Sequence, residues 1–202
     1  MLQSPAWIGI AAVGVASSPL IWNILARDEY RHKTLTKLFK GKYNGCYALA
    51  AWIFLSSLGK DALVMRAIKE NPLPVLSSDA STIRTLDLVG KVAAAAGQTL
   101  VLSSFYRLGI TGTYLGDYFG ILMQQRVTAF PFNWFENPMY LGSTLTFLGF
   151  ALSRNSVVGV GLAAWVYAVY EVATRYFENP FTSMIYAERD KEALKAEAAP
   201  AR

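Results

Sequence analysis

The sequence predicts an all-α fold, a polytopic helical membrane protein with four or five membrane-embedded helices. Three observations carry that expectation. Of 202 residues, 53% are hydrophobic and only 16% are charged, against about 25% charge in an average soluble domain. The apolar residues stand in long blocks, not in the alternation that marks half-buried surface elements. Cys46 is the one cysteine, so no disulfide framework can replace a core. An aromatic content of 13% also excludes a disordered chain.

Taken in order, Trp7–Leu25 is uncharged over 19 residues, enough to cross a hydrocarbon core of about 30 Å. No Lys or Arg precedes it and it exceeds an h-region, so it reads as a span and not as a signal peptide. Pro19 and Asn23 in its second half set a kinked or re-entrant helix against a straight one. Cys46–Leu58 is the second block, extending through Lys60–Ile68 as a partly amphipathic helix. Leu86–Tyr106 is the third, with Lys91 near its start, where the side chain can snorkel. Met139–Leu152 is apolar but short. Ser156–Phe177 is the fourth long block; Glu171 and Arg175 lie four apart on one face and are expected to pair or to point into the bundle. Residues 1–186 thus form one membrane domain, and 187–202 (AERDKEALKAEAAPAR) a solvated, fraying tail.

Nineteen Lys and Arg against 14 Asp and Glu give a net charge of +5. In a chain this apolar, that balance points to anionic headgroups and topology control. Nucleic acid is not an expected partner, because no basic stripe lies outside the membrane-flanking loops. If Met139–Leu152 pairs with the following block as a hairpin, five crossings result. Twelve basic residues then share one side with the Arg107–Pro138 stretch and the segment after Phe177. Five (Lys60, Arg66, Lys69, Arg84 and Arg154) lie on the other. The positive-inside rule places the twelve in the cytosol. A re-entrant first block would leave four crossings.

The chain has no Gly-rich phosphate loop, no His/Cys metal cluster and no nucleophile elbow, so no metal is expected. His32 belongs to a basic juxtamembrane loop and reads as solvated; Cys46 reads as a small packing residue. The informative stretch is Leu100–Leu148. Gly112, Gly116 and Gly120 are four apart, so on a helix they would form one glycine face, for close packing or for approach of backbone to a ligand. Asp117, inside that run, is costly near a membrane unless it meets water, a cation or a partner.

Four strings in this region, GITGTYLGDYFGIL, RVTAFPFN, NPMYLGSTLTFLG and ENPFTSMIYAERDK, closely resemble the phospholipid methyltransferase family. PLIWNILAR and KGKYNGCYALAA extend the likeness over nearly the whole chain. More distantly, NPMYLG with a later acidic residue resembles membrane-embedded isoprenylcysteine carboxyl methyltransferases. The resemblance implies S-adenosyl-L-methionine as methyl donor, bound at two elements. One is a GxG triplet in the third apolar block, which here reads Ala95-Ala96-Gly97. The other is a Glu-Glu pair before PFT, which here reads Glu178-Asn179. The first departure adds a methyl; the second loses a charge but keeps hydrogen-bonding capacity.

The resemblance further implies N-methylation of phosphatidyl-N-methylethanolamine and phosphatidyl-N,N-dimethylethanolamine to phosphatidylcholine. The expected place is the endoplasmic reticulum membrane, with the donor site facing the cytosol. Such a site must be interfacial, because the donor arrives from water while the methylated phosphatidylethanolamine acceptor stays in the bilayer. Glu178 is the first candidate for donor contact, and Asp117 a candidate proton acceptor. Tyr140 and Tyr118 are candidates to line methylammonium groups through cation–π attraction. Two alternatives stay open at this level: a non-catalytic scaffold of the same fold, and transfer to another acceptor such as a prenylcysteine carboxylate.

Overall fold

A computed structural model describes residues 3–125 and 127–198. Arg126 and Arg202, both counted in the charge balance above, lie outside these residues, as does the end of the tail from 199. Among the described residues the chain is helical, with only an isolated β-bridge between Val75 and Ser156.

Helix α1 (Pro5–His32) runs unbroken through Pro19; at about 42 Å for 28 residues it exceeds the hydrocarbon thickness. The backbone around the proline stays bonded: the Ser18 hydroxyl donates to the Gly14 carbonyl at 2.9 Å, and Asn23 Nδ2 donates to the Pro19 carbonyl at 2.9 Å. The helix is continuous through the proline, so the re-entrant alternative gives way to a single helix. The short helix α2 (Thr34–Leu38) is capped from α1. The fully buried Glu29 carboxylate accepts the N–H of Leu35 at 2.7 Å and of Thr36 at 3.1 Å, occupying donors a helix start leaves free.

Helix α3 (Lys42–Glu70) joins the second block and its amphipathic extension into 29 residues. It corrects the charge map. The helical extension is as expected, but Lys60 does not belong with the outer basic residues: it is 5% exposed inside the bundle. Its Nζ donates to Asp61 Oδ1 at 2.7 Å and to the Tyr170 hydroxyl at 3.3 Å, and lies 4.8 Å from the Phe147 ring centroid. An ion pair and aromatic faces are what make such a burial tolerable.

Helix α4 (Ala80–Thr113) starts at Asp79, whose Oδ2 accepts the Thr82 N–H at 2.8 Å. The Ser81 hydroxyl and that N–H hold the Asp79 carboxyl down at about 2. The helix breaks at Gly109, whose φ of +63° is open to glycine without strain. A second correction follows beyond Thr113. Leu115 turns left-handed, a 3₁₀ turn spans Gly116–Phe119, and Gly120 is left-handed again. Gly112, Gly116 and Gly120 therefore share no helix face. At Gly116 a Cβ would meet the Thr111 carbonyl at 2.6 Å, so this glycine permits a tight fold-back that drives Tyr118 and Phe119 into the core.

Helices α5 (Pro138–Ser153) and α6 (Val157–Val172) form the expected hairpin, tied to the neighbouring loop by Asn155, whose side chain bonds both N–H and C=O of Ser77. At about 24 Å, α5 is the short fifth helix beside four long apolar segments. It lies against α4 along glycines: a Cβ at Gly97 would collide with the Gly142 carbonyl, and one at Gly149 would meet the Gly90 carbonyl at 2.5 Å. After α6 the ladder widens into a π segment (Ala173–Glu178) and continues as α7 (Asn179–Ala198). Pro180 has no N–H to return and crowds the preceding turn, directly after the widened stretch. Glu171 and Arg175 pair across this junction at 3.5 Å, as expected of them.

Contacts fix the helix directions. Ser4 and Asn71 bond each other at one end of α1 and α3, and the Arg66 guanidinium lies 3.8 Å from the Trp7 ring centroid nearby. The other end gathers the last turns of α1 and α4, the first turns of α3 and α5, and the π segment.

Candidate active site

Glu178 ends the π segment at 8% exposure. Its two oxygens are divided between helices. Oε1 accepts from Trp22 Nε1 at 2.9 Å and from Asn23 Nδ2 at 3.0 Å, both on α1. Oε2 accepts from the Tyr140 hydroxyl on α5 at 2.6 Å. All three donors are neutral. Among the described residues, no ion pair forms on this carboxylate. Burying a carboxylate is expensive unless it is paired, and π segments in helices recur at functional sites.

Further polar atoms around it lack partners. Asn23 Oδ1, the Tyr118 hydroxyl and Arg27 Nε are buried without a hydrogen bond. Arg27 donates through Nη2 to the Phe177 carbonyl at 3.0 Å, with its guanidinium 4.8 Å from the Phe181 ring centroid. Tyr118 stacks on Phe181, with ring centroids 4.9 Å apart at an interplanar angle of 9°. Asp117 Oδ2 accepts from the Thr182 hydroxyl at 2.8 Å, one helical turn past Glu178. A carboxylate, an orphan amide oxygen, an orphan hydroxyl and an orphan guanidinium N–H thus form one buried polar cluster, the chamber, around the π segment. Buried groups of this kind are seldom left unsatisfied.

Next to the chamber a cavity of about 610 Å³ opens between α5, α6 and the start of α7. Tyr140 joins the cavity to the polar cluster: it lines the cavity and its hydroxyl is spent on Glu178. Tyr170 packs on it, ring centroids 4.8 Å apart. Asn179 also lines the cavity, and its Nδ2 donates to Glu136 Oε1 at 3.2 Å.

Of the residues named from sequence, the fold brings together Glu178, Asn179, Tyr140, Asp117 and Tyr118. It does not bring the Ala95-Ala96-Gly97 triplet to them. Ala95 and Ala96 are exposed on α4, and Gly97 is buried where α4 meets Gly142 and Thr146, two residues and more past Tyr140. The sequence alone assigns no site role to Trp22, Asn23 and Arg27. Their signal was present in PLIWNILAR, where Asn23 and Arg27 fall four apart on one face of an otherwise apolar helix.

The chain has clear relatives among known proteins. The family described as phospholipid methyltransferase matches residues 86–189. The phosphatidyl-N-methylethanolamine N-methyltransferase of Saccharomyces cerevisiae is 50% identical over 182 residues, 90% of this chain and 86% of that protein. Its namesake from Schizosaccharomyces pombe is 48% identical over 190 residues, 93% and 94% of the two chains. The phosphatidylethanolamine N-methyltransferase of Homo sapiens is 41% identical over 180 residues, covering 89% and 87%. No solved structure matches the chain.

Proposed function

The chain belongs to the phospholipid methyltransferase family, and from that premise we propose that it methylates phosphatidyl-N-methylethanolamine and phosphatidyl-N,N-dimethylethanolamine to phosphatidylcholine. S-Adenosylmethionine is the donor in this reading, supplying a methyl group on a sulfonium sulfur when bound. One observation carries the proposal: the buried Glu178 carboxylate has three neutral donors and no cationic partner among the described residues. A cationic, hydroxyl-bearing ligand complements that set, and Asn23 Oδ1, the Tyr118 hydroxyl and Arg27 Nε offer it one acceptor and two donors. The residues present therefore fit the donor.

The work of the chain is positioning and proton management. Trp22, Asn23 and Tyr140 fix the Glu178 carboxylate from three directions, so its orientation is set before any ligand arrives; such pre-positioning is worth up to about 7–11 kcal/mol in a two-substrate transfer. An ammonium has no lone pair, so the acceptor amine must first lose a proton. Asp117, anchored by Thr182 alone among side chains in the described bonds, is the group we assign to take it. The aromatic walls exclude water and attract the methylated nitrogen. Asn179 keeps its site next to Glu178 as a hydrogen-bonding side chain, which supports a working variant of the acidic pair.

We place the protein in the endoplasmic reticulum membrane with the chamber toward the cytosol. With Lys60 inside the bundle, ten basic residues at the chamber end face four at the other among the described residues, the asymmetry of a cytosolic face. The test is to supply methyl-labelled S-adenosylmethionine to membranes containing the protein with each lipid in turn. Label is expected in phosphatidylcholine from the mono- and dimethylated lipids. Label in a prenylcysteine ester, or in no acceptor, overturns the assignment.

A further inference from the structure

We infer that the cavity between α5, α6 and α7 holds the zwitterionic head of the acceptor lipid, with the Arg175 guanidinium on its phosphate and its amine directed to Tyr140. The inference rests on the phospholipid reading above and adds the residue that recognises the phosphate. Arg175 is the one Lys or Arg among the residues lining the cavity. Its side chain is 70% exposed, and its partner is Glu171, one turn earlier, at 3.5 Å. Exposed pairs at this spacing are weak, so a phosphate that offers two oxygens to the planar guanidinium displaces the contact at small cost. Glu171 and Glu136, both at the cavity, then stand beside the positive end of the same ligand. Anion and cation sites side by side match a zwitterion and mismatch an acceptor with one negative group.

The rest of the cavity fits the same ligand. Tyr140, Tyr167 and Tyr170 present aromatic surface suited to a methylated ammonium. Tyr140 is also the wall shared with the Glu178 chamber, so an amine against it is next to the donor side. The volume, about 610 Å³, is in the range of a small-ligand site. Trp134 and Tyr167 at its border are 71% and 50% exposed, leaving an apolar flank along which acyl chains stay in the bilayer.

The experiment compares, in mixed micelles with the full-length protein, phosphatidyl-N-methylethanolamine and its methyl phosphotriester, which lacks the phosphate charge. The parent is expected to prefer the phosphodiester in kcat/KM by about tenfold or more, the size of a charged hydrogen bond. Arg175→Gln should erase that preference through KM of the diester, while donor binding measured by calorimetry stays unchanged. Arg175→Lys should restore it in part, and Lys69→Gln, at the opposite end of the bundle, should keep it in full. Preference retained in Arg175→Gln, or lost equally in Lys69→Gln, overturns the assignment. A parent that uses both lipids equally overturns it alone; a parent that methylates neither overturns the underlying phospholipid reading as well.

Discussion

Glu178 is reached by a tryptophan and an asparagine 156 and 155 residues earlier in the chain and by a tyrosine 38 residues earlier. Each donor removed leaves a buried lone pair without a partner. Tyr140→Phe keeps the ring against Tyr170 and deletes only the bond to Oε2, a charged hydrogen bond of about 1.5–3 kcal/mol. Initial-rate kinetics are expected to show donor kcat/KM lowered about tenfold or more, with the protein still in the membrane. Unchanged donor kinetics would remove Tyr140 from the chamber's working parts. At this scale the sequence names Glu178 and Asn179 through the resemblance, Asp117 through the cost of a carboxylate near a membrane, and Tyr140 as an aromatic candidate. It does not name Trp22 and Asn23, because an apolar helix gives no sign of which distant carboxylate its two polar side chains will meet. Asn23 was visible only as a disturbance near Pro19.

Helix pairing explains where the glycine-bearing triplet goes. Gly97 lies where α4 and α5 touch backbone to backbone, with Thr146 Oγ1 at 2.6 Å from an added Cβ; small residues at such crossings let apolar helices associate by close packing. Gly97→Ala is expected to force the helices apart, costing about 1–3 kcal/mol as overpacking does. Gly161→Ala, in open space, should be neutral or slightly stabilising, since alanine favours the helix by up to about 1 kcal/mol. Thermal unfolding in detergent separates the two, and equal midpoints would contradict the close seam. The α5–α6 hairpin was legible from two apolar blocks joined by a short polar turn. The fold-back at Gly116 was not: fourfold glycine spacing reads as a helix face, and nothing in Leu115 announces a left-handed residue. Lys60 is a related case. The helical extension is legible, but only the rings of Phe147 and Tyr170 in space show why its charge can be buried.

For the whole molecule, composition settled the class, because no soluble core could absorb so many apolar residues. Block lengths and charge leave four and five crossings open, and the structure supplies α5 as a separate short helix beside four long ones. What composition could not supply is the meeting of the first helix with the last, and that meeting creates the chamber: α1 brings Trp22, Asn23 and Arg27 to the π segment that carries Glu178. The most direct measurement is therefore donor binding by calorimetry in detergent, parent against Glu178→Gln, which keeps shape and removes the charge. S-Adenosylmethionine is expected to bind at least about tenfold more weakly to the variant, the loss of one charged contact. An identical dissociation constant in the two proteins would contradict the claim that this carboxylate holds the donor.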